Sequence, residues 1–114
     1  MLVFNFNHTE KQLELACNEF SEIQLVADNE VCMGWDMRLG HSELNITKYG
    51  DFYRVGDCYN GKILRSFKCS FDGNMITIYS ANDNGRELKA EKYLKKYAQC
   101  AMRVFALVKC GKID

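Results

Sequence analysis

Residues 52–80 read FYRVGDCYNGKILRSFKCSFDGNMITIYS. Asn60-Gly61 and Asp72-Gly73 are strong hairpin dipeptides, because a type I′ turn needs positive φ at both central residues. They predict strands near 52–59, 62–71 and 74–80. Two-residue loops also set register, with Tyr59 opposite Lys62 and Phe71 opposite Asn74. Counting outward places Phe52, Cys58, Ile63, Phe67, Cys69, Phe71, Ile76 and Ile78 on one apolar face. Tyr53, Val55, Tyr59, Leu64, Ser66, Lys68, Ser70, Met75, Thr77 and Tyr79 fall on the other. Both turns select the same core face. In this register Cys58 and Cys69 lie about 20 Å apart along the strands, too far for a disulfide.

Upstream, Leu44 to Lys48 joins the sheet in phase if Tyr49-Gly50-Asp51 forms a three-residue loop. Asp28-Asn29 can turn a hairpin within Leu25 to Trp35, leaving Val31, Met33 and Trp35 on one side. Thr9 followed by Gln12 is a capping box. The helix it starts would carry Leu13, Ala16, Cys17, Phe20 and Ile23 on its apolar face. Before it, Leu2, Phe4 and Phe6 alternate as in a strand. Downstream, Asn82 or Asn84 can cap a long helix from about Arg86 to Lys109, with Gly111 as its stop. Ala90, Leu94, Tyr97, Ala98, Ala101, Val104, Phe105 and Val108 make its apolar stripe. At about 1.5 Å per residue such a helix crosses a whole sheet. The expected fold class is α+β: an antiparallel meander with an N-terminal helix and a long C-terminal helix packed on one face. Residues 1–114 form a single domain without repeats or linkers.

A chain of 114 residues that is 47% hydrophobic can bury one core, which excludes an intrinsically disordered chain. No apolar run approaches the roughly 18 residues of a membrane span, so no membrane partner is expected. Met1 to Asn7 shows neither a basic n-region nor a small-residue cleavage site, so no signal peptide is expected. The six cysteines include no C-x-x-C. They read as reduced, mostly buried thiols of a cytoplasmic protein.

The neutral total charge hides segregation. Residues 1–45 carry eight acids against two bases, and residues 86–112 carry eight bases against two acids. Lys89, Lys92, Lys96 and Arg103 fall in one stripe of the expected C-terminal helix. Arg86 and Lys89 would sit at its N-terminus, where the macrodipole disfavours cations. The stripe is thus a candidate partner-binding surface, set against an ordinary solvated helix face.

Phosphate-loop, dinucleotide, zinc-protease and nucleophile-elbow motifs are all absent. The chain therefore reads as non-catalytic, with no cofactor and no metal. Cys32 with His41 is the one conceivable ligand pair. Arg54 and Arg65 both point to the apolar face in this register. They are a weak candidate anion site, against the plainer reading that they snorkel or pair with an acid. On the opposite face Tyr53, Lys68 and Thr77 lie in one row, and Val55, Ser66 and Tyr79 in the next. Tyr53, Lys68 and Tyr79 are thus further candidates for a partner-binding surface, for protein or for single-stranded bases.

The abundance of Asn, Lys, Tyr, Phe and Ile and the lack of proline give a motif-free small domain. In that composition it resembles many phage-encoded accessory proteins, including inhibitors of host defence enzymes. The resemblance implies a protein-binding module acting in the host cytoplasm. The alternative is a nucleic-acid-binding accessory protein using the basic helix or the Tyr/Lys face. Oligomeric state has no signature in the sequence.

Overall fold

The computed structural model describes residues 1–17, 20–37, 40–59, 62–111 and 113. Strand β1 (Leu2–Asn5) leads to α1 (Glu10–Cys17), and six strands follow. These are β2 (Phe20–Ala27), β3 (Glu30–Met37), β4 (Gly40–Tyr49), β5 (Phe52–Tyr59), β6 (Lys62–Asp72) and β7 (Met75–Asp83). A short β8 (Arg86–Leu88) precedes α2 (Glu91–Leu94), a 3₁₀ turn (Lys95–Tyr97) and α3 (Ala98–Lys109). The sheet is antiparallel in the order β1-β7-β6-β5-β4-β3-β2, with β8 also paired to β7. This is the α+β meander expected from the hairpin dipeptides. No described helix is long and apolar enough to cross a membrane.

Helix α3 fills the inner side of the sheet. Val104, Phe105 and Leu107 are fully buried in one cluster with Met33, Leu44, Ile46, Val55, Phe67, Cys69, Ile76 and Ile78. The α1 helix packs on α3. Its capping box is in place: the Thr9 N–H donates to Gln12 Oε1 at 2.8 Å, and the Gln12 N–H donates to Thr9 Oγ1 at 3.2 Å. His8 belongs to this packing. Its Nδ1–H donates to the Phe6 carbonyl at 3.0 Å, and its ring meets the edge of Phe105.

Several expectations need correction. The first helix stops at Cys17, and Phe20 and Ile23 lie instead in β2. Pairing with β3 across the Asp28–Asn29 turn outweighs the helical spacing of those two residues. The C-terminal helix begins at Glu91, because Asn84-Gly85 makes its own hairpin first. Both residues have positive φ (52° and 86°), as a type I′ turn requires. The Asn82 side chain caps that turn rather than a helix, accepting the Gly85 N–H at 3.0 Å. Arg86 therefore sits on a strand, away from any helix dipole.

The loops differ too. Gly50-Asp51 is a two-residue turn between Tyr49 and Phe52, in place of the expected three-residue loop. The turn after β6 is Gly73-Asn74 with Asp72 opposite Met75, and only Gly73 has positive φ, as in a type II′ turn. The Asn60-Gly61 turn lies outside the described residues.

The largest correction concerns faces. Tyr59 opposes Lys62 and Cys58 opposes Ile63, but Asp57 opposes Arg65, so Leu64 is one extra residue in β6. A single bulge residue exchanges the faces of the whole partner strand beyond it. Tyr53 and Val55 therefore turn inward and are buried, whereas Phe52 and Arg54 turn outward. A second bulge at Tyr79 resets β7 and brings Ala81 inward opposite Phe67.

Candidate functional site

The outer face of β4–β7 carries the densest chemistry. Register sets Thr47, Arg54, Lys68 and Ser80 in one cross-strand row, with Asn45, Gly56, Ser66 and Asn82 in the next. Ser66, Ser80 and Asn82 line an open trough of about 490 Å³ together with Tyr49, Phe52, Arg54, Lys68 and Glu87. Tyr49 is 54% exposed and Phe52 36%.

Lys68 lies over this surface, with Nζ 4.3 Å from the Phe52 ring centre and 5.8 Å from that of Tyr79. Phe52 and Tyr79 meet edge to face at 5.3 Å. The Tyr79 hydroxyl is fixed by Ser70 Oγ at 2.8 Å. The bulge explains the position of Tyr79, since the extra residue re-aims its side chain toward Phe52. Arg54 faces Lys68 directly across β5 and β6, and neither forms an ion pair among the described residues. The nearest acid in the row, Glu30, is held by the Asn45 amide at 2.7 Å, and Asn45 in turn accepts from the Thr47 hydroxyl at 3.2 Å.

The sequence-predicted candidates are thus redistributed. Lys68 and Tyr79 share one exposed face. Tyr53 does not join them: it lies inside, against Phe71, with the Lys48 ammonium over its ring. Phe52 and Arg54 take its place. Arg54 and Arg65 lie on opposite sides of the sheet and cannot form one anion site. Arg65 remains inward-facing and pairs with Asp57 at 2.7 Å. That bond, opposed by partial burial, raises its pKa above the ordinary arginine value.

The basic stripe is also divided. Lys89 precedes α2 and pairs with Glu87 at 3.7 Å, while Lys96 sits in the 3₁₀ turn with Asp83 at 3.5 Å. Lys92 lies over the Tyr93 ring, and Arg103 belongs to α3. The change of helical pitch at 95–97 breaks the phase on which a single stripe depends.

Cys32 and His41 stand four rungs apart in the β3–β4 ladder, about 13 Å, so they do not share a metal ion. The His41 side chain lies outside the described residues. Cys32 Sγ lies 3.9 Å from Glu43 Oε2. Cys32, Cys69, Cys100 and Cys110 are in no disulfide. Burial pushes the Cys100 thiol up to about 12 and raises that of Cys69 as well. Neither is a nucleophile at neutral pH.

Phe52 was missed and Arg54 was assigned to the wrong face because a turn dipeptide reports register only as far as the first bulge. Leu64 has no residue signature that would have announced one. No protein-family model, curated protein or solved structure matches the chain.

Proposed function

We propose that the chain is a non-catalytic binding module that docks an acidic protein surface on the outer sheet face formed by Tyr49, Phe52, Arg54, Lys68 and Tyr79. The observation that carries this reading is the exposed Arg54–Lys68 pair. Like charges on directly opposed residues destabilise a sheet, so the fold gains nothing from setting these two opposite each other. An acidic partner would relieve that repulsion. Aromatic rings beside arginine are also the composition of protein interfaces.

Base stacking has weaker support. Lys68 already covers the Phe52 ring, Ser70 holds Tyr79, and Tyr53 is buried. Among such modules, an inhibitor of a host enzyme encoded by a virus and acting in the host cytoplasm is the form the proline-free composition supports.

The test is a quantitative pull-down comparing wild type with the Arg54→Glu/Lys68→Glu variant. A protein with an acidic surface should be enriched by wild type and lost by the variant at unchanged melting temperature. A partner retained equally by both contradicts the reading. So does submicromolar binding to random oligonucleotides with a log–log salt slope near −0.9 per duplex phosphate contact, which would favour nucleic acid.

A further inference from the structure

We propose that the outer sheet face closes on a second copy of this chain, about a two-fold axis running parallel to the strands between β4 and β5. The proposal rests on the docking reading above and names one acidic surface that Arg54 and Lys68 take. That surface is the β3–β4 half of the same face on the other copy.

The charge of this face is divided. The described helices place Leu13, Leu94 and Val104 in the inner core, so they cover the opposite side of the sheet. On the outer side one unbroken cross-strand row runs Glu30, Thr47, Arg54, Lys68 from β3 to β6. Its acid stands at one end and its two cations at the other. Glu43 on β4 adds a second, exposed carboxylate to the acidic half. Among the described residues Glu30, Arg54 and Lys68 form no ion pair.

A two-fold axis parallel to the strands keeps every residue at its level and exchanges β3 with β6 and β4 with β5. Register then dictates the contacts, each made twice by symmetry. Glu30 faces the partner's Lys68, and Thr47 faces the partner's Arg54. One level beyond, the exposed Tyr49 ring faces the partner's Phe52. On the other side Asn45 faces the partner's Gly56, which has no side chain to obstruct it. An axis that laid the basic half on itself would stack cation on cation, so charge selects this one.

The patch is small. Strands about 4.8 Å apart make a four-strand contact roughly 19 Å wide. A stable complex buries roughly 800 Å² on each partner, so this dimer is weak and exchanges with monomer. It therefore opens when another acidic protein competes for Arg54 and Lys68.

Sedimentation velocity of the whole chain, at concentrations up to about 1 mM, tests the dimer. A monomer–dimer equilibrium is expected, weakened by added salt. Glu30→Lys alone and Lys68→Glu alone should each weaken it roughly tenfold or more, because each sets like charges face to face twice. Combining the two substitutions swaps the pair and should restore association. In a mixture of labelled and unlabelled wild-type chains, intermolecular nuclear Overhauser contacts should join Tyr49 to Phe52. Four results would overturn the proposal: a monomer at every concentration, a dimer indifferent to both single reversals, a swap that melts like wild type yet stays dissociated, or intermolecular contacts through other residues. Glu30→Lys keeps Arg54 and Lys68, so it should lose the dimer and still capture another acidic protein. A dimer that passes these tests beside capture indifferent to Arg54→Glu/Lys68→Glu would contradict the docking of another protein and leave self-association standing.

Discussion

Along β6, Phe67 and Cys69 lie buried on one face, while Lys68, between them, lies exposed on the other. The inner residues meet α3 and a closed apolar cluster. Lys68 lies over the rings of Phe52 and Tyr79 and stands opposite another cation. Packing alone accounts for the inner face. It does not account for the outer one, where Arg54 and Lys68 oppose each other and neither forms an ion pair among the described residues. That contrast separates residues that build the fold from those that the proposed function assigns to a partner.

The contrast breaks first if the inner face is not the core. Phe105 is fully buried, with its ring against those of Phe6, His8 and Phe71. Phe105→Ala should lower unfolding free energy by about 3–5 kcal/mol in urea titration. Lys68→Ala should change it by less than about 1 kcal/mol. Comparable losses for the two would erase the distinction between the faces.

A smaller effect tests the turn that sets β6 against β7. A Cβ at Gly73 meets nothing within 4 Å, but the residue has a φ of +58°. Gly73→Val should therefore lose about 1–2 kcal/mol from backbone strain alone. An unchanged urea midpoint would mean that the turn lies elsewhere.

Alkaline pH then separates inner from outer cysteines. Cys100 titrates near its ordinary value of 9.0 when unfolded and near about 12 when folded. Its contribution is present in full below pH 9 and is lost as pH rises from there toward about 12. The unfolded chain releases the proton first, removing on the order of 1 kcal/mol by pH 10. Native-state alkylation at pH 8 should modify exposed Cys110 quickly and leave Cys69 and Cys100 unmodified. Rapid native modification of Cys100 would contradict its burial.

Legibility in the sequence followed the range of each signal. The Thr9–Gln12 cap and the Asp28-Asn29 turn are local, and both were readable. Asn84-Gly85 was equally readable, but the apolar stripe beginning at Ala90 invited a helix that absorbed it. Phe20 and Ile23 fit a helix face by spacing, and only pairing with β3 makes them strand residues. Faces were legible on β6, where Phe67 and Cys69 lie inside and Lys68 outside. On β5 they were not, because one extra residue at Leu64 exchanges Tyr53 with Phe52 and Arg54. Two of the five residues of the proposed docking face, Lys68 and Tyr79, were accordingly legible.

The smallest change tests the central claim most directly. If Arg54 opposes Lys68 for a partner's sake, Arg54→Glu turns a repulsive cross-strand pair into an attractive one. The urea midpoint of this single variant should rise, by about 0.2–1 kcal/mol in unfolding free energy, while the protein captured by wild type is lost. A lower midpoint, or capture that survives the substitution, would contradict the assignment of this face to docking.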